Sequence, residues 1–335
     1  MAIWLWIGFV LFVLVMLALD LGVLNRKAHT IGTWEALRWA SLCAFLALAF
    51  NVAVYFIYQH NWLGMAEHNG VITTGRQAAL DFFTGYIVEQ SLSMDNIFVI
   101  ALIFNYFGVP AVHQHRVLFW GIMGALVMRG VMILAGAALI SRFHWIIYVF
   151  GVLLLATAVK MMFAGEEKVE PDRNILVRLA RRLYPVTKKM EGQRFFTHLD
   201  GKRAITPMFV CLLVIESTDV LFAIDSIPAI FAITRDPFIV FTSNIFAILC
   251  LRSLYFALAG LMHKFRYLKS SLVFLLAYIG VKMLLTDLYE IPTGASLAII
   301  GGALVVGIAA SLLSEQRPAP LPAGHEDSND PGTNV

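Results

Sequence analysis

Two short stretches decide the fold of this chain: residues 89–100 (EQSLSMDNIFVI) and residues 219–230 (DVLFAIDSIPAI). Each has an acid six residues before an aspartate, and that aspartate is followed by a small polar residue and then by isoleucine. Both stretches lie inside long apolar runs. A carboxylate inside a membrane span is costly and indicates a functional site by default. The two stretches therefore predict one motif that is used twice at membrane depth.

The composition predicts a membrane protein rather than a soluble one. Of the 335 residues, 59% are hydrophobic and only 14% are charged, which is far from the usage of soluble domains. Runs of about 20 apolar residues are long enough to cross a hydrocarbon core about 30 Å thick. We expect an all-α polytopic membrane protein with about nine transmembrane helices, over residues 3–24, 38–58, 77–105, 117–140, 145–163, 207–233, 238–262, 268–287 and 294–314.

Lysine and arginine predict the orientation. With the N-terminus outside, the inner segments hold eighteen of these residues, the outer segments three and the spans four. We therefore expect an external N-terminus and a cytoplasmic C-terminus. The predicted segments are 1–76 with two N-terminal helices, 77–163 as repeat 1, 164–206 as a basic cytoplasmic loop, 207–288 as repeat 2, 289–314 as the last helix and 315–335 as a disordered cytoplasmic tail.

The basic loop contains apolar residues at helical spacing over 174–184, with arginines between them. This pattern predicts an amphipathic helix on an anionic membrane surface; a plain solvated linker helix is the alternative.

The similarity between the two halves extends beyond the acidic stretches. Arg129 precedes Lys160 by 31 residues, and Arg252 precedes Lys282 by 30. Each copy would contain three spans, with no further span between the copies. Because three is odd, the second copy must enter the membrane from the opposite side. We therefore predict two inverted three-helix repeats, a plan that is common in secondary transporters, whose site lies near the midplane.

Five acids are the candidate metal ligands: Glu89, Asp95, Glu216, Asp219 and Asp225. Along a regular helix, residues six apart point about 120° apart, so a straight helix does not aim both acids of a motif at one ion. Pro228 lacks an N–H group and can break the second helix, and the hydroxyls near residue 91 could do the same in the first. Discontinuous helices free carbonyl oxygens for a cation.

Several other residues could complete the predicted site. Supporting candidates are Met94, Asn96, Ser226, Asn51 and Asn244. Packing is the alternative role for the methionine, and hydrogen bonding between helices is the alternative for the two distant asparagines. Five carboxylates near the midplane need a divalent cation, bound protons or basic partners. Four bases lie inside spans and could simply pair with these acids and lock the bundle: Arg129, Lys160, Arg252 and Lys282.

Other classes of function find no support in the sequence. Cys43, Cys211 and Cys250 show neither metal-ligand nor disulfide spacing and are expected to pack as small hydrophobic residues. There is no nucleotide-binding loop and no Gly-x-Gly-Asp sequence of an intramembrane aspartyl enzyme, so we expect no enzyme and no bound cofactor. Nothing suggests nucleic-acid binding.

The motifs resemble those of the TerC family of integral membrane proteins, and most closely its Alx-type branch of bacterial manganese exporters. The matching pieces are residues 83–86 (FTGY), 89–98, 216–220 (ESTDV), 225–230 (DSIPAI) and 238–244 (FIVFTSN), with the two Val-Lys-Met pieces. The resemblance covers about residues 1–315. It implies a location in the bacterial inner membrane and export of Mn²⁺, and it implies that the five acids handle the cation.

Two hypotheses of different class follow. The first is a secondary transporter that exports divalent cations in exchange for protons as the coupling ion. Mn²⁺ is the expected cargo, and Ca²⁺ or another divalent cation is the alternative. The second is a membrane scaffold or assembly factor in metal-stress (tellurium resistance) complexes, with loop 164–206 as the surface for protein partners. The lipid bilayer is a partner in both. Deleting part of the loop would separate them, because a transporter should keep its flux.

Overall fold

A computed structural model describes residues 3–19, 32–68, 71–163, 174–187, 192, 194–199, 202–258, 267–289 and 291–314. The predicted tail 315–335 lies outside this part of the chain. The helices are α1 (Ile3–Leu19), α2 (Thr33–Gln59), α3 (Gly75–Phe107), α4 (Ala111–Arg142), α5 (Ile146–Phe163), α6 (Ile175–Leu183), α7 (Pro207–Phe231), α8 (Pro237–Leu258), α9 (Leu268–Leu284) and α10 (Thr293–Ser314). Two short antiparallel hairpins join β1 (Glu67–His68) to β2 (Val71–Ile72) and β3 (Phe196–Leu199) to β4 (Lys202–Ile205).

The prediction of an all-α polytopic membrane protein is confirmed. Within the described ranges, seven helices are long and apolar enough to cross a membrane by length and composition: α2, α3, α4, α5, α7, α8 and α10. The helix α1 is apolar but shorter, and α9 has 17 residues with Lys282 in its last turn. A helix therefore covers each of the nine predicted spans, while their number as true membrane crossings stays a prediction.

Local chemistry explains where the two motif-bearing helices begin and end. The Thr74 side chain caps the start of α3 by accepting a hydrogen bond from the Gln77 N–H group at 3.3 Å, as threonine commonly does. Gly108 ends α3 with a positive φ of 62°, a conformation that glycine adopts without strain. The helix α7 begins at Pro207, a position where the missing N–H group costs nothing.

Both motif helices are continuous, so the predicted helix breaks are wrong. Pro228 lies inside α7, but only three residues before the helix ends at Phe231, so the missing N–H group removes one bond in the last turn. In α3, the Ser91 hydroxyl donates to the Ile87 carbonyl oxygen at 2.6 Å. The serine thereby satisfies its hydroxyl within the helix and does not divert the backbone.

The helices of the two predicted repeats make similar contacts. Among these six helices the most extensive contacts are those of α3 with α8, α4 with α7, α3 with α7, α4 with α8 and α5 with α9. If α3, α4 and α5 are exchanged for α7, α8 and α9, the pair α3–α8 becomes the pair α4–α7. The pairs α3–α7, α4–α8 and α5–α9 stay the same. This pattern agrees with the predicted repeat, but the repeat and its inverted orientation stay predictions. The most enclosed span is α8, with 89% of its apolar window buried.

The basic loop forms structure of its own where it is described. The helix α6 confirms the helix that was predicted over 174–184, and Asn174 caps it by accepting hydrogen bonds from the N–H groups of Leu176 and Val177. Val177 is buried in a core cluster with residues of α3, α4 and α7. Ile175 and Leu183 remain exposed. The location of this exposed apolar side on a membrane surface stays a prediction.

Helices α5 and α9 cross closely at two glycines. A Cβ atom added to Gly280 would lie 3.0 Å from the Gly151 carbonyl oxygen. Because this neighbour is a backbone atom, it cannot rotate away. We expect Gly280→Leu to lower the free energy of unfolding by ~1–3 kcal/mol through overpacking. Thermal unfolding in detergent measures the effect. The matched control is Gly301→Leu in α10, where an added Cβ meets nothing within 4 Å; equal melting of both variants would contradict the close crossing.

Candidate functional site

Arg129 lies at the centre of a buried polar cluster to which four helices contribute. Its side chain points from α4 towards α3, α7 and α8 and is 1% exposed as a residue. We call the group the Arg129 cluster; its members are Glu89, Asn96, Arg129, Asp219, Ser226 and Asn244. All six are buried. The cluster therefore contains the first acid of each motif and the polar residue that follows each motif's aspartate.

Two carboxylates share the Arg129 guanidinium. Nε and Nη2 donate to the two oxygens of Asp219 at 3.2 and 2.9 Å, while Nη1 forms an ion pair with Glu89. Asn96 also donates to Asp219 Oδ1, at 2.9 Å. Charge-assisted, two-pronged pairs of this kind are among the strongest hydrogen bonds in proteins. The cluster therefore joins α3, α4 and α7 at membrane depth.

Polar groups of α7 and α8 complete the guanidinium shell. Nη1 of Arg129 lies 3.3 Å from Asn244 Oδ1 and 3.4 Å from Ser226 Oγ. The Asn244 Nδ2 atom is buried without a hydrogen-bond partner in the described part of the chain, as is Glu89 Oε2. Unpaired buried polar atoms are expensive. Glu89 therefore uses only one of its two carboxylate oxygens in the described contacts of the cluster.

Acidic charge exceeds basic charge around the Arg129 cluster. Glu216 lies one helical turn before Asp219 on α7, half-buried and close enough to interact electrostatically with it. Gly124 of α4 makes room for it, because a side chain there would overlap the Glu216 carboxylate. Two carboxylates thus share the Arg129 guanidinium, and a third lies beside one of them. Such an excess in a low-dielectric interior requires protons or a cation.

The other two candidate acids lie outside the Arg129 cluster. Asp225 is half-buried on α7 and accepts a hydrogen bond from Thr157 of α5 at 2.9 Å. Asp95 is half-buried on α3, beside the half-buried Met94. Among the residues described, no group of three or more His, Cys, Asp or Glu side chains could hold a metal ion. A metal role for the five acids therefore stays a prediction.

The predicted basic partners differ in their surroundings. Arg129 pairs with two of the five acids, as the locking alternative expected. Lys160 is exposed on α5 and interacts electrostatically with Asp225. Lys282 is half-buried on α9 and interacts electrostatically with Asp81, whereas Arg252 is buried on α8. Of the supporting candidates, Asn96, Ser226 and Asn244 belong to the cluster and Met94 lies beside Asp95. Asn51 lies on α2, where its Oδ1 atom has no hydrogen-bond partner within the described ranges.

Sequence reasoning missed a second polar network, at the helix ends. The Tyr58 hydroxyl donates to Asp236 at 2.6 Å, and the Gln77 amide donates to Asp81 at 2.7 Å and to Thr293 at 3.0 Å. The network joins α2, α3 and α10 to the start of α8. One signal was available: Asp236 precedes the proline that opens α8 and caps that helix by accepting from the Phe238 N–H group at 2.9 Å, a typical N-cap role.

An exposed carboxylate lies beyond the end of α9. Tyr148 donates a hydrogen bond to Asp287, and the His144 ring lies 3.5 Å from the same carboxylate. The Tyr148 bond, followed by the His144 contact, lowers the pKa of Asp287 below its ordinary value. This acid has solvent and two partners, unlike the acids inside the bundle.

Fold and site together define the class of protein. The chain is a multi-pass α-helical membrane protein with a buried arginine–carboxylate cluster between its motif helices. It belongs to the TerC family: residues 74–319 match the family described as "Integral membrane protein TerC family".

Similar proteins come from several bacteria. A Myxococcus xanthus protein named "Uncharacterized membrane protein STKORF319" is 49% identical over 312 residues, which cover 93% of each chain. A protein of Escherichia coli K12 named "Putative membrane-bound redox modulator Alx" is 44% identical and covers 90% of this chain and 92% of its own. A Rickettsia bellii membrane protein is 37% identical and covers 92% of this chain and 97% of its own. No solved structure matches the chain.

Proposed function

We propose that the chain is a secondary transporter that exports divalent cations, with Mn²⁺ as the main cargo and protons as the coupling ion. The observation that carries this proposal is the excess of carboxylates around Arg129. Glu89 and Asp219 share the Arg129 guanidinium, and Glu216 lies close enough to Asp219 to interact with it electrostatically. Intramembrane acids of this kind are typical of ion pathways and proton relays.

Arg129 acts in this proposal as a tethered cation. It satisfies Glu89 and Asp219 while the site holds no ion, so the acids do not lie unpaired in lipid. A divalent cation that reaches Asp219 competes with the guanidinium for the same oxygens, and protons compete for them as well. Exchange between a metal ion and protons at shared carboxylates would then couple the two fluxes.

The donor atoms favour hard divalent cations but do not choose among them. Carboxylate, amide and hydroxyl oxygens converge from Asp219, Asn244 and Ser226, and oxygen ligands suit Mn²⁺, Ca²⁺ and Mg²⁺ alike. The choice of Mn²⁺ comes from the resemblance to Alx-type exporters. The proposed setting is the bacterial inner membrane, with the N-terminus outside and the C-terminus in the cytoplasm.

Metal uptake into inverted membrane vesicles tests this proposal. Export from the cytoplasm becomes uptake in such vesicles, and proton exchange should drive it when the vesicle interior is acidic. We expect ⁵⁴Mn²⁺ uptake to rise with the imposed pH gradient, to stop with a protonophore and to fall when other divalent ions compete. Vesicles without the chain are the control. The name of the Alx relatives suggests a redox modulator. If this chain only modulated redox state, ⁵⁴Mn²⁺ uptake would equal this control at every imposed pH gradient.

A further inference from the structure

An open cavity lies between the end of α4 and the segment that joins α7 to α8. Its volume is about 480 Å³, which is within the range of small-molecule pockets. Residues between 137 and 144 form one wall, and residues between 231 and 237 form the other. None of the lining residues belongs to the Arg129 cluster. The cavity is therefore a separate feature of the bundle.

The cavity lining changes from apolar to polar along the helices that form it. On the α4 wall, Ala137 and Ala138 come before Ser141. On the opposite wall, Phe231 is the last residue of α7, and Arg235 follows it. In each wall the polar residue lies nearer to the end of the helix, or beyond it. The deep part of the cavity is therefore apolar and its mouth is polar, which is the order of groups in an amphiphile.

The apolar floor of the cavity is held in place by close packing. Phe231 is buried, and its ring lies against α4 where Gly136 has no side chain. A Cβ atom at Gly136 would lie only 3.0 Å from the Phe231 Cε2 atom. The glycine therefore lets the ring pack directly on the α4 backbone, so the floor is formed before any ligand binds.

Arg235 at the mouth has a guanidinium that is available to an anion. It is exposed, and it makes no ion pair within 4 Å among the described residues. Two acids lie in its neighbourhood, but both have other donors. Asp287 accepts a hydrogen bond from Tyr148, and Asp236 accepts hydrogen bonds from the Tyr58 hydroxyl and from the N–H group that starts α8. The arginine therefore retains its donors for an external partner.

The mouth of the cavity has the residues of a membrane boundary. Arg142 is exposed in the last turn of α4, and Trp145 is exposed just beyond it. Tryptophan rings are enriched at the level of lipid headgroups. Arg142 and Arg235 are also two of the three basic residues in the predicted outer segments. The polar end of the cavity thus faces the headgroup layer and its apolar end faces the hydrocarbon.

We propose that this cavity is a binding site for one anionic phospholipid. The Arg235 guanidinium donates to the lipid phosphate, a group that matches its planar donors. An acyl chain lies along Ala138 and the Phe231 ring. A free anion would leave the apolar floor uncovered, and an uncharged amphiphile would leave Arg235 without a partner. The bound lipid would bridge α4 to the segment before α8, and its binding does not depend on the transport proposal.

Native mass spectrometry of the purified full-length chain in detergent tests the site. The probes are phosphatidylglycerol, which is anionic, and phosphatidylcholine, which has no net charge. We expect the wild type to bind the first phosphatidylglycerol about tenfold more tightly than the first phosphatidylcholine, because a charge-assisted contact is lost with the neutral lipid. Arg235→Gln should lose this preference. Arg76→Gln, which removes an exposed arginine at the start of α3, is the matched control and should keep it.

A second pair of variants tests the apolar part of the cavity. Ala138→Trp fills the space of the acyl chain and should weaken binding of phosphatidylglycerol without any change of charge. Ala135→Trp changes another exposed alanine of α4 that does not line the cavity, and it should bind like the wild type. Because both alanines are exposed, this pair remains informative if Arg235→Gln does not fold.

Three outcomes would overturn the proposal. The first is equal binding of the two lipids by the wild type, and the second is an unchanged preference in Arg235→Gln. The third is displacement of phosphatidylglycerol by excess inorganic phosphate, which would show that the site takes a free anion rather than a lipid. Loss of lipid in Ala138→Trp but not in Ala135→Trp would support the assigned position of the acyl chain.

Discussion

Replacing Arg129 with methionine is expected to abolish stable folding of the protein. The substitution leaves Glu89 and Asp219 buried with no basic partner inside the cluster. Removing one partner of a buried ion pair costs about 3–5 kcal/mol, which is a large share of the total stability of a typical domain. Thermal unfolding in detergent and the yield of monodisperse protein measure the effect.

Two further variants separate the ion pair from the loss of an arginine as such. Arg142→Met changes an exposed arginine in the last turn of the same helix and should leave the melting temperature nearly unchanged. Adding Glu89→Gln and Asp219→Asn to Arg129→Met removes the uncompensated charges and should recover part of the stability. If Arg129→Met alone melts like the wild type, the cluster does not stabilise the bundle.

Replacing Asp225 with asparagine is expected to reduce Mn²⁺ uptake by inverted vesicles to the level of membranes without the chain. Asparagine keeps the shape of the side chain and can still accept the hydrogen bond from Thr157. The variant removes the negative charge of a motif aspartate, one of the five acids that are predicted to handle the cation. Because no ion pair within 4 Å holds Asp225 among the described residues, we expect stability to change by less than ~1 kcal/mol. Asp95→Asn should act in the same way on α3.

A matched carboxylate serves as the control for flux. Asp287→Asn removes an acid that is exposed beyond the end of α9 and should keep full uptake. Amounts of folded protein are compared by gel filtration before the fluxes are normalised. Undiminished uptake in both Asp225→Asn and Asp95→Asn would defeat the assignment of the motif aspartates to ion handling.

Much of the fold could be predicted because it follows from local patterns. Apolar run length predicted a helix at each span, since a bilayer leaves the backbone no other way to satisfy its hydrogen bonds in a bundle. The helix over 174–184 was also predictable, because its apolar residues repeat at helical spacing. The spacing of Arg129 and Lys160 against Arg252 and Lys282 predicted a repeat, and the exchangeable packing of α3, α4 and α5 with α7, α8 and α9 agrees with it.

The role of the predicted site residues stays a prediction, and the structure bears only on how they are grouped. Sequence singled out Glu89, Asp219 and Arg129, and the structure brings them together. The sequence did not distinguish these residues from Asp95 and Asp225. The spacing of residues along one helix does not show which neighbouring helix each side chain faces. The expected break at Pro228 is absent because a proline in the last turn removes only one hydrogen bond.

The sequence by itself determined that this chain is a helical membrane protein of the TerC type with acids at membrane depth, because run length and motif spacing are local properties. Only the tertiary structure decided that Arg129 of α4 reaches acids on two other helices. These contacts join residues far apart in the chain, and their partners depend on the rotation and register of packed helices.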